Sequence, residues 1–160
     1  MRALEAYELT TRGGATDFAE VIATCESFGP YCLIGGLAVN CYVEPVYTLD
    51  ADLVVIAGHL SAVEAHLQDR GGSDLRIQFT TGERYQPFLS RSEERKVFEQ
   101  TVKVACLEDV TRGKLWAYSD PRRRLTKRKK DELDLIRLAE AYPELKSLYP
   151  KELSEQLKGI

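Results

Sequence analysis

At 160 residues, 44% hydrophobic and 29% charged, the sequence has the apolar content of an ordinary globular protein and reads as one domain over 1–160, not as a disordered or fibrous chain. A net charge of −3 argues against nucleic-acid binding by the surface as a whole, and no apolar run reaches bilayer-spanning length, so the expectation is a soluble cytoplasmic protein with no membrane partner. The four cysteines, Cys25, Cys32, Cys41 and Cys106, lie in apolar contexts without metal-type spacing and read as reduced core thiols, not as a disulfide framework or a zinc site.

Residues 1–14 offer Leu4, Tyr7 and Leu9 for an arm or a short strand before Gly13-Gly14. From Asp17 the spacing of Phe18, Val21, Ile22 and Cys25 predicts a helix, which Gly29-Pro30 ends. The next stretch organises the chain. Tyr31 to Ile34 is a short apolar strand ending in Gly35-Gly36, followed by a brief helical segment, a turn at Glu44-Pro45, and a second strand carrying Asp50 and Asp52 before the apolar run Leu53 to Ile56. Residues two apart on a strand point to the same side, about 6–7 Å apart, so the two carboxylates face one spot. A pair of anions needs a positive partner, and a divalent cation with oxygen ligands supplies it; Asp50 and Asp52 are therefore a candidate Mg²⁺ site. Gly35 and Gly36, between a strand and a helix start, allow the close backbone approach that suits a phosphate.

Ser61 and Glu64 form a capping-box pattern for a short helix through Leu60, Val63 and Leu67 that Gly71-Gly72 ends. His59 and His66, seven apart, read as solvated or cap histidines and not as metal ligands. Leu75, Ile77 and Phe79 alternate with Arg76, Gln78 and Thr80 as a half-buried strand, with a turn at 81–84 and a hairpin return over 85–89. Val102 and Val104 suggest a last strand, and Leu107 begins a helix with Glu108 and Asp109 at its favourable end. Asp120-Pro121 breaks that helix. Seven basic residues then fall within the nine positions 122–130, a local charge that can steer a nucleotide or an RNA acceptor. Leu135, Leu138, Ala139 and Tyr142 predict a further helix with Asp131 and Asp134 at its start, and Pro143 and Pro150 open short helical pieces that pack through Leu153 and Leu157.

Taken in order, these pieces resemble a known superfamily. Ile34 to Asn40 followed by Tyr47-Thr48-Leu49-Asp50-Ala51-Asp52 looks like the nucleotidyltransferase signature, and the segments 104–110, 114–117 and 130–135 resemble the AbiEii-like group of toxins from toxin–antitoxin systems. The resemblance implies an α+β fold, a mixed sheet flanked by helices, with a core over about 15–110 and a helical C-terminal part over about 107–160. It also implies roles: Asp50 and Asp52 as metal ligands, Gly35, Gly36, Thr48 and Lys130 at the nucleotide, Lys114 on the triphosphate, and Asp131 orienting Lys114 or receiving the acceptor's proton. The implied activity is Mg²⁺-dependent transfer of a nucleoside monophosphate from a nucleoside triphosphate to a hydroxyl of RNA, protein or a small molecule, with an antitoxin as protein partner.

Two positions depart from the pattern. Tyr47 stands where the family has an arginine, and Gln78 and Gln86 occupy the places where a third metal carboxylate is expected. These departures favour the rival expectation, a catalytically degenerate module of the same fold that binds a nucleotide or a protein.

Overall fold

A computed structural model describes residues 2–68 and 72–159. Its centre is a five-stranded mixed sheet built from β1 (Tyr31–Ile34), β2 (Asp50–Val55), β3 (Arg76–Thr80), β4 (Glu93–Val97) and β5 (Gln100–Val104), in the order β3-β2-β1-β5-β4. The pairs β1–β2 and β4–β5 are antiparallel, and β1–β5 and β2–β3 are parallel. β1 is buried at every position and β2 from Leu53 onward, as continuous apolar runs at the middle of a covered sheet should be.

The helices are α1 (Ala3–Thr10), α2 (Gly14–Phe28), α3 (Gly35–Val39), α4 (Ala57–His66), α5 (Phe88–Arg91), α6 (Leu107–Tyr118), α7 (Leu125–Ala141) and α8 (Lys151–Gln156). α2 packs with α1 and α4, whereas α3 lies on β2 and meets α6 and α7. One hydrophobic cluster runs from Phe18 of α2 through the sheet to Leu135, Leu138 and Leu153 of the C-terminal helices. The fold is the expected α+β arrangement of a mixed sheet flanked by helices.

Several local expectations are corrected. Ala3–Thr10 forms a helix instead of an arm or strand, because Tyr7 is buried against Phe98 and holds α1 on the body. α4 begins at Ala57, so Ser61 lies inside it and caps nothing; the helix ends at His66, before Gly72, and Gly71 is outside the described residues. His66 is exposed, as expected, with its ring edge-on to Phe28, whereas the Nδ1 of His59 is buried with no hydrogen-bond partner among the described residues. No hairpin follows β3: residues 83–85 and 88–91 are helical turns, and β3 pairs in parallel with β2 instead. The hairpin is β4–β5, turned by Phe98 and Glu99 at φ +49° and +66°, a tight turn without the usual glycine. α7 starts at Leu125, so Asp131 and Asp134 lie well inside it and their anionic charge has another purpose than meeting the helix start.

Among the described residues no helix is long and apolar enough to cross a membrane. Cys25 and Cys32 are buried, Cys41 and Cys106 half-buried, and all four are free thiols; burial pushes Cys25 and Cys32 up to about 12 and Cys41 up to about 11, which leaves them protonated at neutral pH.

Candidate active site

The site is organised by strand register. Ile34, the last residue of β1, pairs with Asp52, so the chain leaving β1 into α3 passes directly beside that carboxylate. Gly35 there has φ +74°, and a Cβ on it would run into the Asp52 carboxyl group, 3.1 Å from Cγ and closer to Oδ2. Two separate demands, a left-handed backbone and an absent side chain, thus require glycine at 35. Gly36 differs: a Cβ there would find only ordinary contacts, the nearest at 3.6 Å to Thr48 Oγ1. Thr48 sets the start of β2, its Oγ1 accepting the Asp50 N–H at 3.2 Å.

On the other side of β2, the parallel register sets Arg76 opposite Asp50 and Gln78 opposite Asp52. Arg76 Nε donates to Asp50 Oδ1 at 2.7 Å, and Lys127 reaches from α7 to Asp50 Oδ2 at 3.4 Å. Asp50 therefore has cations on both oxygens; burial works to raise its pKa, but Arg76 and Lys127 outweigh it and the carboxyl sits below its usual value. Tyr47, where the pattern has an arginine, brings no basic group to the aspartates. The structure supplies two, from β3 and from α7. Among the described residues Asp52 has no such partner, and burial, with the charge of Asp50 adding to it, pushes its carboxyl up to about 6 despite Lys114, Arg123 and Lys127 nearby.

The opposite wall is the seam between α6 and α7. Lys114, buried on α6, holds Asp131 at 3.2 Å and Asp134 at 2.8 Å. Arg123 adds a forked contact to Asp131, Nε to Oδ2 at 2.6 Å, and Arg137 binds Asp134 at 2.7 Å and donates to the Glu44 carbonyl, tying α7 to the loop that precedes β2. Burial alone would lower the Lys114 pKa, but Asp134 and Asp131 reverse this, and it is raised.

Two recesses flank these groups. The larger, about 330 Å³, is lined among others by Gly36, Thr48, Asp50, Asp52, Lys114, Lys130, Asp131 and Asp134; its charged lining comprises six basic side chains (Arg76, Lys114, Arg123, Lys127, Lys130, Arg137) against four acidic ones. The smaller, about 160 Å³, holds Gly35 and Gln78 and shares Asp50, Asp52, Lys114, Arg123, Lys127 and Asp131 with the first. All eight residues singled out in the sequence, Gly35, Gly36, Thr48, Asp50, Asp52, Lys114, Lys130 and Asp131, line one or both recesses. Sequence reasoning placed Arg123 and Lys127 in the basic run 122–130 but missed their pairing with Asp131 and Asp50, and it missed Arg76, Arg137 and the grip of Asp134 on Lys114. The polar face of β3 was the available signal for Arg76, hidden by the expectation of a hairpin. The start of α7 carries Lys127 and Arg128 in its first turn and no acid, against the helix dipole at a cost of about 0.3–1 kcal/mol each; such a placement makes sense where anions face them.

As a donor set, Asp50, Asp52 and the amide oxygen of Gln78 suit one hard cation. Among the described residues no third acid joins them, and no group of three or more acidic, histidine or cysteine side chains is placed to hold a metal ion. Gln86 is spent on the backbone, donating to the Val55 and Thr81 carbonyls, and Glu83 is exposed on the turn after β3.

The architecture is a nucleotidyltransferase fold. Among solved structures, the antibiotic-resistance factor ANT(2'')-Ia superposes with a TM-score of 0.58 at 14% identity over 92% of this chain and 90% of its own. An antigenic nucleotidyltransferase-like protein from Paracoccidioides brasiliensis gives 0.56 at 19% identity, over 90% of this chain and 85% of its own. At such identities the likeness is one of fold. No family model matches the sequence, and no curated protein does.

Proposed function

We propose that the protein is a nucleotidyltransferase that moves a nucleoside monophosphate from a nucleoside triphosphate to a hydroxyl acceptor. The observation that carries this reading is the meeting of Asp50, Asp52 and Gly35 with Lys114 around two recesses that share lining residues, the larger of which has a mostly basic charged lining. Arg123, Lys127 and Lys130 face the larger recess and suit a triphosphate, each phosphate contact replacing part of the hydration that the anion loses. Asp131 and Asp134 act as fixed anions that hold Lys114 in one place, so that its charge meets the leaving pyrophosphate without rearrangement. Gly36 and Thr48 shape the phosphate end of the recess, and Gly35 makes room for Asp52. Asp50 and Asp52 would hold a single Mg²⁺ that, when bound, offsets the charge of the phosphates.

The resemblance to AbiEii-like toxins extends the proposal to a cytoplasmic toxin with an antitoxin partner and an RNA acceptor drawn to residues 122–130. The test is label transfer: with a radiolabelled nucleotide, Mg²⁺ and an RNA pool, the wild-type protein labels an acceptor and the Asp52→Asn variant, folded, does not. Full activity of that variant refutes the assignment.

One observation favours a second reading, a nucleotide-binding module without turnover. Gln78 sits beside Asp52, where a further acid would complete the donor set, and Asp50 already has two basic partners. Calorimetry that finds nucleotide binding, with no transfer from any of the four nucleotides, selects it.

A further inference from the structure

A separate cavity of about 570 Å³ lies between α1, the segment from Pro45 to Thr48 and the β4–β5 turn. Its lining is mostly apolar and aromatic, with Arg2, Lys96 and Glu99 as its charged members. The Tyr7 ring stacks on Phe98 at 4.3 Å between centroids, and the Tyr47 ring is 5.8 Å from Tyr7. Tyr47 is 56% exposed although it has a large apolar ring to cover. Phe98 is held in its place by a turn in the left-handed region, a conformation that costs energy for a side chain of this size and persists because the surrounding packing enforces it.

What separates this groove from the charged recess is one thin, tied-down wall. Asn40, Val46, Tyr47 and Thr48 line both spaces. The Asn40 side chain donates to the Val46 carbonyl at 2.7 Å and accepts its N–H at 3.0 Å, and the Tyr7 hydroxyl donates to the Thr48 carbonyl at 2.9 Å. A ligand lying across the wall at Thr48 therefore meets cations at one end and aromatic faces at the other. Few classes of small molecule have both a polyanionic end and a planar aromatic end.

We propose that this groove receives the nucleobase of the nucleotide whose phosphates occupy the charged recess, with Tyr47 as the ring it stacks on; the inference rests on the phosphate reading of that recess. Tyr47 then has a purpose at a position where the pattern has an arginine: it presents an exposed ring face to a base. The exposed Tyr47 ring offers every base a face, and Tyr7 and Phe98, stacked on each other, form an apolar wall of the groove beside it.

The experiment compares tripolyphosphate, each nucleoside triphosphate and each free nucleoside by calorimetry in the presence of Mg²⁺. The proteins are wild type, Ala6→Phe and Ala3→Phe, two substitutions that fill the groove from α1 without touching the charged recess. The expected result is that wild type binds at least one nucleoside triphosphate about tenfold or more tightly than tripolyphosphate, and that filling the groove removes most of this gap while tripolyphosphate affinity stays unchanged. Ala3 is exposed, so its variant reports even if Ala6→Phe does not fold. A gap that survives in a folded filled variant overturns the proposal, as does the absence of any gap in wild type. Loss of acceptor labelling in a filled variant with nucleotide affinity intact assigns the groove to the acceptor and also overturns it. Failure of tripolyphosphate itself to bind strikes instead at the phosphate reading of the recess.

Discussion

The two walls of the cleft use the same chemistry, carboxylate against cation, to opposite ends. On the α6–α7 wall the partners are sealed in: the side chains of Lys114 and Asp131 are 10% and 1% exposed. On the β2 wall Arg76 is 61% exposed, and its partner Asp50 is itself reachable by solvent. A buried pair has surrendered its hydration and cannot exchange partners without losing the protein's shape, whereas an exposed pair is held weakly and gives way to a better ligand. The α6–α7 wall thus holds its buried ion pairs as a fixed frame, and the β2 wall is where a cation can displace a weaker partner.

The strongest way to break that contrast is to remove the buried cation. Lys114→Met takes one cation from the almost fully covered Asp131 and one from Asp134, which keep Arg123 and Arg137, and is expected to cost on the order of 3 kcal/mol in urea denaturation. The double variant Lys114→Met/Asp134→Asn should recover part of the loss. A cost below about 1 kcal/mol would mean that the frame is held by packing alone.

Asp52→Asn is expected to change stability nearly as much, in the other direction. The Asp52 carboxyl is raised by burial from an ordinary 3.8 to about 6, so the folded protein binds its proton more tightly than the unfolded chain does. Its contribution to stability is complete below about pH 4 and is lost as pH rises through 6, amounting to at most about 3 kcal/mol. Asparagine carries no such charge. The variant should therefore match wild type near pH 4 and exceed it at pH 7.5, a trade of activity against stability that chemical denaturation at both values measures.

The strands and helices around the site were legible because the chain announces them locally: the apolar run of β1, the Gly35-Gly36 break and the alternation of β3 each follow from neighbouring residues. The charge pairing was not, because it depends on which strand lies beside β2. Read as a hairpin, Arg76 points at nothing; paired in parallel with β2, it falls opposite Asp50. The same holds for Asp131 and Asp134. Placed at a helix start they look like caps, but α7 begins at Leu125 and turns the basic run into helix, which carries Lys127 to Asp50 and both aspartates to Lys114. Tyr47 and Phe98 became partners of Tyr7 only because α1 forms, and nothing in residues 1–14 alone demands a helix there.

The glycine pair sharpens the contrast within four atoms of backbone. Gly35→Ala meets both a left-handed φ and the Asp52 carboxyl group, and should cost roughly 1–3 kcal/mol and abolish transfer. Gly36→Ala lies inside α3 with room for its methyl and keeps its N–H, so stability should hold or rise by about 0.5–1 kcal/mol with activity retained. Equal losses at the two positions would show that Gly36 is needed for an approach closer than the free protein displays.

The smallest effect on stability, and the most informative about chemistry, is expected from the exposed cations. Arg76→Ala and Lys127→Met each remove one partner of Asp50, and because these pairs reach solvent each should change stability by under about 1 kcal/mol. The Asp50 carboxyl, held below its usual value by these two, should rise in both variants, which carboxyl-carbon NMR titration follows directly. Their effects on ligand binding should then diverge. Arg76 lies on the strand beside Asp50 and serves mainly that carboxylate, whereas Lys127 faces both recesses from α7, with Arg123 and Lys130 around the larger one. Losing Lys127 should weaken tripolyphosphate binding by about tenfold and reduce its salt dependence, while losing Arg76 should leave it within a factor of two or three. If the two variants lose affinity alike, Asp50 and its partners act as one unit, and the β2 wall is as rigid as the α6–α7 wall opposite.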